Sequence, residues 1–207
     1  MHRAMYLPRQ FSHPEHAATL MREHPFASLV TTDDTGFPFI THLPLKLVEE
    51  GAEPAMLLGH CARGNPLWGY LQKRPLALAS FMGPQAYMSP KAYADLQRVP
   101  TWSYLAVQAG VEARLLDDEE AKDALLKQLI ADHEPAYAAQ WRALSKDYTS
   151  KMLSAITAFE LRIVDLQCAV KLNQHRPEAH TAMHAAYAAG STQEQALAAW
   201  MKKVGML

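Results

Sequence analysis

The sequence has only two cysteines, Cys61 and Cys168, and they form no CxxC pair. That excludes a disulfide framework and a cysteine-rich zinc site, and it suits free thiols in a reducing cytoplasm. Positive charge is not in excess either. Lys and Arg total 20 against 21 Asp and Glu, a net charge of -1. A dedicated DNA-binding surface shows as a basic excess or stripe, so direct nucleic-acid binding is doubtful. No apolar run approaches the length of a membrane span, and no membrane association is expected. The stretch from Met1 to Gln10 is polar, broken by Pro8, and lacks a signal-peptide pattern. The expected location is the cytoplasm. The sequence also lacks GxGxxG, GxxxxGK[ST] and GxSxG, so neither a nucleotide-binding loop nor a hydrolase elbow is indicated. Internal repeats and low-complexity tracts are missing.

What remains is ample material for a core. Of 207 residues, 49% are hydrophobic and 20% charged, which fits one domain over residues 1–207. Ser12-His13-Pro14-Glu15 reads as a capping box that opens a helix toward Glu23, with Pro25 ending it. Phe26 to Thr32 is β-rich, Asp33 to Gly36 is a turn, and Phe37 to Leu47 alternates as a second strand. Pro44 cannot donate to a ladder, so it marks an edge or a bulge. Glu49 to Pro54 reads as a turn and Met56 to Gly59 as a third strand. A short helix is expected over Asn65 to Lys73. Pro75 to Phe81 makes a fourth strand, broken by Gly83-Pro84, with a helical turn after Ser89-Pro90.

The strongest alternation in the chain runs from Leu105 to Leu115 and predicts a long half-buried strand. Asp117 with Glu120 then caps a helix bearing Ala121, Leu125, Leu129 and Ile130 on one stripe. A second helix follows Glu134-Pro135, and Ile156 to Leu166 returns to strand. Lys171 to Pro177 is a polar, cationic connector. Ser191-Thr192-Gln193-Glu194 is a capping box for a last helix striped by Leu197, Trp200, Met201 and Val204. Short strands joined mostly without crossover helices predict an antiparallel sheet closed into a small barrel, in the α+β class, with residues 177–207 as a helical tail.

One stretch carries candidate chemistry. In His60 to Trp68 an arginine, a glycine, an asparagine and a proline follow an apolar run. Such a turn suits an anion: Gly64 admits a close approach, Arg63 forks onto phosphate oxygens, and Asn65 caps the next helix. It equally suits a plain turn. His42 sits mid-strand as either a ligand-site or a surface residue. Cys61 lies near Arg63, so either its pKa is lowered or it is a small buried filler. Trp102 and Tyr104 point the same way, toward a flat ligand, a dimer contact or the core. His180 and His184 share a helix face but have no adjacent carboxylate, so no metal is expected. No general acid or base stands out, and the catalytic residues are unknown.

Six motifs occur in a familiar order: MYLPRQF, PFASLVTTDDTGFPFITHLPL, GHCARGNPLW, FMGPQAYMSP, VPTWSYLAV and KLNQHRP. Together they resemble the PaiB-type proteins, FMN-binding negative transcriptional regulators of the FMN-binding split β-barrel superfamily. The resemblance runs from Met5 to Pro177. It implies an antiparallel split β-barrel with peripheral helices, working as a homodimer with FMN at the subunit boundary. His60, Ala62, Arg63 and Asn65 match the phosphate segment, and Ile40, Thr41 and His42 match the strand beside the flavin ring. Trp102, Ser103 and Tyr104 would come near the flavin or the dimer seam. Lys171, Asn173 and Gln174 would approach from the far end of the fold or from the partner subunit. The sequence departs from the family pattern at Ser103, where Asn is usual, at Gln108 for His, at Ala92 for Trp, and in the late KLNQHRP motif. The resemblance leaves alternatives open: an FMN-dependent oxidoreductase or flavin reductase, or a haem-binding split-barrel protein.

Overall fold

A computed structural model describes residues 5–51, 53–95 and 97–207. Its chain divides into two compact units. One comprises residues 25–80 and 109–166, the other residues 5–24, 81–108 and 167–207.

The first unit starts with the hairpin of β1 (Phe26–Thr32) and β2 (Pro38–Pro44), paired antiparallel with Ser28 opposite His42 and Val30 opposite Ile40. Asp33 closes the turn by accepting from the backbone N–H of Thr35 and Phe37 at 2.8 and 2.9 Å. The expected single strand to Leu47 is instead two. β2 ends at Pro44 and β3 (Lys46–Glu50) begins one residue later, because Pro44 supplies no donor. β4 (Glu53–Ala62) follows a tight turn at Gly51, where φ is +65°. The Glu49–Pro54 turn is therefore shorter than its polar composition suggests, and His60, Cys61 and Ala62 belong to the strand. Helix α2 (Leu67–Lys73) comes next, and Asn65 Oδ1 accepts from the N–H of Leu67 at 2.9 Å.

Three long strands complete the sheet: β5 (Leu76–Met88), β6 (Thr101–Leu116) and β7 (Ile156–Lys171). Gly83-Pro84 does not break β5. Both residues are buried, and the in-out alternation changes phase between them. A Cβ on Gly83 would stand 3.2 Å from Leu105 Cβ and 3.3 Å from Leu20 Cδ1, so the glycine serves close packing. Sheet order is β2-β1-β5-β6-β7-β4-β3. The two edge strands, β2 and β3, are joined by Leu45 alone, so the two edges of the sheet must meet at that corner. The class is α+β, an antiparallel split β-barrel with helices, as the family resemblance implied.

Between β6 and β7 lie α3 (Glu119–His133), α4 (Ala138–Ala143) and α5 (Lys146–Ser154). Asp118, rather than Asp117, caps α3 by accepting from Ala121 N–H at 2.7 Å. Leu125, Leu126 and Leu129 of α3 pack with Leu58, Leu116 and Ala158. The single expected second helix is split, because Ser145 caps α5 anew.

In the second unit α1 (Ala17–Glu23) is preceded by a 3-10 turn, Pro14–His16. Ser12 does not cap it but bridges to Ala169 of β7. Helices α6 (His180–Ala188) and α7 (Thr192–Lys203) form the tail, with Met183, Tyr187, Leu197, Trp200 and Met201 buried. Both bonds of the Ser191–Glu194 capping box are present. No helix among the described residues is long and apolar enough to cross a membrane.

Candidate functional site

The sequence-predicted residues fall into two clusters, one in each unit. The first forms where β4 runs into α2. Pairing of β4 with β7 sets Cys61 opposite Thr157, and the N–H of Arg63 donates to Ala155 O at 2.8 Å. Asn65 N–H returns to Ala62 O at 2.9 Å, which closes the turn. The Arg63 guanidinium donates through Nη1 to Thr157 Oγ1 at 3.1 Å and lies 4.8 Å above the Trp68 ring. Trp68 Nε1 donates back to Arg63 O at 3.0 Å, so the arginine is held by its neighbour from two sides. Asn65 Nδ2 donates to Thr41 Oγ1 at 3.2 Å, which ties the turn to β2. Among the described residues no carboxylate pairs with Arg63. Its side-chain contacts are neutral, the Thr157 hydroxyl and the Trp68 ring, while Asn65 and Thr41 are bonded to each other in the same turn.

This donor set fits a phosphate. A guanidinium and polar neutral groups recognise an anion, and no carboxylate competes with it. Gly64 adds to the fit. Nothing lies within 4 Å of the position a Cβ would take there, and its φ is not positive. The glycine is therefore not required by this turn's own backbone, and the space beside it is open to a ligand. Thr157 was not legible as a site residue, since only the β4–β7 register reveals it.

The other expected residues of this unit face elsewhere. Ile40 and His42 occupy the opposite face of β2 from Thr41, with His42 bonded to Ser28 Oγ at 3.0 Å and stacked on Phe26. Phe26 and Ile40 are 66% and 52% exposed, so this outer face carries uncovered apolar surface. His60 looks toward the helices, lining a cavity of about 360 Å³ with Leu129, Ile130, His133 and Trp141. Burial pushes its imidazole pKa down. Burial also pushes the Cys61 thiol up, so proximity to Arg63 does not activate it. Ala62 is exposed beside the turn.

The second cluster lies at the end of β7. Lys171 Nζ donates to Thr101 Oγ1 at 2.9 Å and sits 5.6 Å from the Tyr104 ring centre, and burial draws its ammonium pKa down. Asn173 takes φ = +67°, which asparagine tolerates better than most residues, and exchanges hydrogen bonds with Tyr93 Oη. Gln174 is spent on the backbone of Val170 and Leu172. Ser103 is buried and accepts from Tyr187 Oη at 2.9 Å, whereas Trp102 is 47% exposed with Nε1 on Gln85. Trp102, Lys171, Asn173, Arg98 and His175 line a cavity of about 340 Å³. His180 turns both ring nitrogens to backbone carbonyls, of Asn173 and Met206.

A family model described as "Putative FMN-binding domain" matches residues 5–165. The "Protease synthase and sporulation protein PAI 2" of Bacillus subtilis (strain 168) is 33% identical over 177 residues, covering 84% of each chain. Two solved structures share the fold at low identity. The flavocytochrome Anf3 of Azotobacter vinelandii gives a TM-score of 0.63 at 16% identity, over 81% of this chain and 73% of that one. An FAD and heme binding protein of Mycobacterium smegmatis gives 0.59 at 19% identity, over 77% and 71%. A match across residues 5–165, joined to one-third identity with PAI 2, shows that the chain belongs to the PaiB-type family of FMN-binding proteins, whose cofactor is FMN.

Proposed function

We propose that the chain is a cytoplasmic, PAI 2-like negative regulator that binds FMN as a homodimer, with the phosphate on the Arg63 turn. The observation that carries the reading is an Arg63 guanidinium bonded to the Thr157 hydroxyl with no carboxylate partner among the described residues, in a turn that Asn65 ties to Thr41 and that leaves open space at Gly64. Ile40, Thr41 and His42 provide the strand along which the ring lies, and the exposed Phe26 and Ile40 supply apolar surface for a second copy. From that partner copy come Lys171 and Trp102, with Tyr104 beneath the lysine. Asn173, Gln174 and Ser103 act by holding the cluster, since their side chains are already bonded internally.

When bound, FMN supplies one- and two-electron redox chemistry. The chain's own contribution is to bind and orient it. The alternative is an FMN-dependent oxidoreductase. The test is a titration of flavin-free protein with FMN, followed by flavin fluorescence and by light scattering for mass. Arg63→Ala should weaken binding by about 10- to 100-fold, as expected for loss of a charge-assisted contact of ~1.5–3 kcal/mol. Unchanged affinity in Arg63→Ala would remove the turn from the reading. Bleaching of bound flavin by NADH or NADPH with turnover would favour the oxidoreductase.

A further inference from the structure

His13, Glu15 and His16 lie in the 3-10 turn Pro14–His16 and the residue before it, outside both clusters. Residues three apart eclipse one another in a 3-10 helix, and here the turn closes with His16 N–H on His13 O at 3.1 Å. The two imidazoles therefore share one side, stacked with ring centres 6.0 Å apart and planes inclined by 28°. Glu15 projects its carboxylate to the same side. Its Oε1 is 3.0 Å from His13 Nδ1 and 4.0 Å from His16 Nε2, and the three ligand atoms all lie within 4.8 Å of one another. Two atoms sharing a tetrahedral ion at bond lengths of ~2.0–2.1 Å stand about 3.3 Å apart, so small side-chain rotations bring this trio into register.

The turn is held from outside. His13 N–H donates to Cys168 O at 3.0 Å, and Ser12 bridges to Ala169, so β7 fixes its backbone. The Gln174 amide lies 3.4 Å from the second ring nitrogen of His13. The edge of Trp200 meets the His16 ring at 5.4 Å, and the nearby Lys203 is engaged with Glu23 and the Trp200 face. This differs from His180, whose nitrogens both face backbone carbonyls.

We propose that His13, Glu15 and His16 form a binding site for a divalent transition-metal ion. Two imidazole nitrogens and one carboxylate oxygen suit zinc, cobalt or nickel rather than magnesium or calcium, which prefer all-oxygen sets. Water completes the coordination, since the trio is only partly buried.

The experiment uses the full chain, free of any affinity tag and stripped with a chelator. Zn²⁺ is titrated calorimetrically, and Co²⁺ is added separately to read its visible ligand-field bands. The expected result is one ion per chain, with Glu15→Gln, His13→Ala and His16→Ala each weakening Zn²⁺ binding by more than about tenfold and the His13→Ala/His16→Ala double variant losing it. Absence of Zn²⁺ binding by the native chain overturns the proposal, as does equal affinity in the double variant. Should the double variant fail to fold, Glu15→Gln decides alone, because its side chain is 58% exposed. FMN affinity, measured in parallel, is expected to be unchanged by Glu15→Gln, so this result and that for the flavin site stand separately.

Discussion

Two glycines near the Arg63 turn have opposite reasons for lacking a side chain. A Cβ on Gly59 would meet Leu45 Cδ2 at 2.6 Å and Phe159 Cε2 at 2.9 Å. These neighbours are fully buried and have nowhere to move. Gly59→Ala should therefore destabilise by about 1–3 kcal/mol, read as a lower urea midpoint. At Gly64 nothing would be met within 4 Å. Gly64→Ala is expected to leave the urea midpoint unchanged but to weaken FMN binding, since the methyl group would occupy the space proposed for the phosphate. Equal FMN affinity in Gly64→Ala would mean that the anion sits elsewhere. His60 adds a pH dependence. Its burial lowers the folded-state pKa below the ordinary imidazole value of about 6.5. Below pH ~6.5 the unfolded chain then binds a proton that the folded chain resists, so stability is present above that pH and is lost as pH falls toward the folded value. His60→Gln should flatten this acid-side decline by up to about 1.4 kcal/mol per pH unit, measured by urea denaturation at several pH values. Parallel profiles for the two proteins would exclude His60 as the source.

At the scale of elements, α7 shows how far a local signal reaches. The Ser191 N–H donates to Glu194 Oε2 at 2.7 Å while Ser191 Oγ accepts from Glu194 N–H at 3.4 Å. The helix then buries Leu197, Trp200 and Met201. Ser191→Ala leaves that buried stripe intact and removes only the cap, so the expected effect is a fall of about 2–4 °C in the thermal midpoint with no change in FMN affinity. A fall of the size seen on core truncation would show that the cap also orders the loop before it. The same box was readable in the sequence because every participant lies within four residues. The similar Ser12-His13-Pro14-Glu15 pattern misled, because β7 claims Ser12 from 157 positions away and Glu15 turns to His13 instead. Strand β1 and the long alternation of β6 were legible for the same local reason. Strand β5 was not: Gly83-Pro84 looks like a break until Leu105 and Leu20 are packed against the glycine. Of the phosphate turn, Arg63 and Asn65 could be read from their chemistry, while Thr157 became visible only through the register of β4 on β7. The opposite orientation of Thr41 and its neighbours Ile40 and His42 follows from strand alternation, yet which face meets Asn65 is a property of the folded turn.

At the scale of the whole molecule, charge bears on how the proposed regulatory role would be carried out. One chain carries a net charge of -1, so the proposed dimer would carry -2. Several of its cations are already paired: Lys73 and Arg74 share Asp34, Arg98 engages Asp95, and Lys127 engages Asp123. Tight DNA binding requires many unpaired Lys and Arg to displace counterions from phosphates, and that requirement gives binding its steep salt dependence. Arg63 at the β4–α2 turn and Lys171 beside Thr101 are each held singly by a threonine hydroxyl, an arrangement suited to one small anion rather than a row of phosphates. We therefore expect regulation through a small molecule or a protein partner. In fluorescence anisotropy with a mixed-sequence DNA duplex at 150 mM salt, the FMN-loaded protein should show no saturation below about 10 μM, within the range of weak non-specific binding. Lowering the salt should raise binding with a shallow slope, because few phosphates are contacted. A slope corresponding to six or more phosphates, with tight binding retained at 150 mM, would show that assembly gathers a basic surface from separate chains, and regulation would then act on DNA directly.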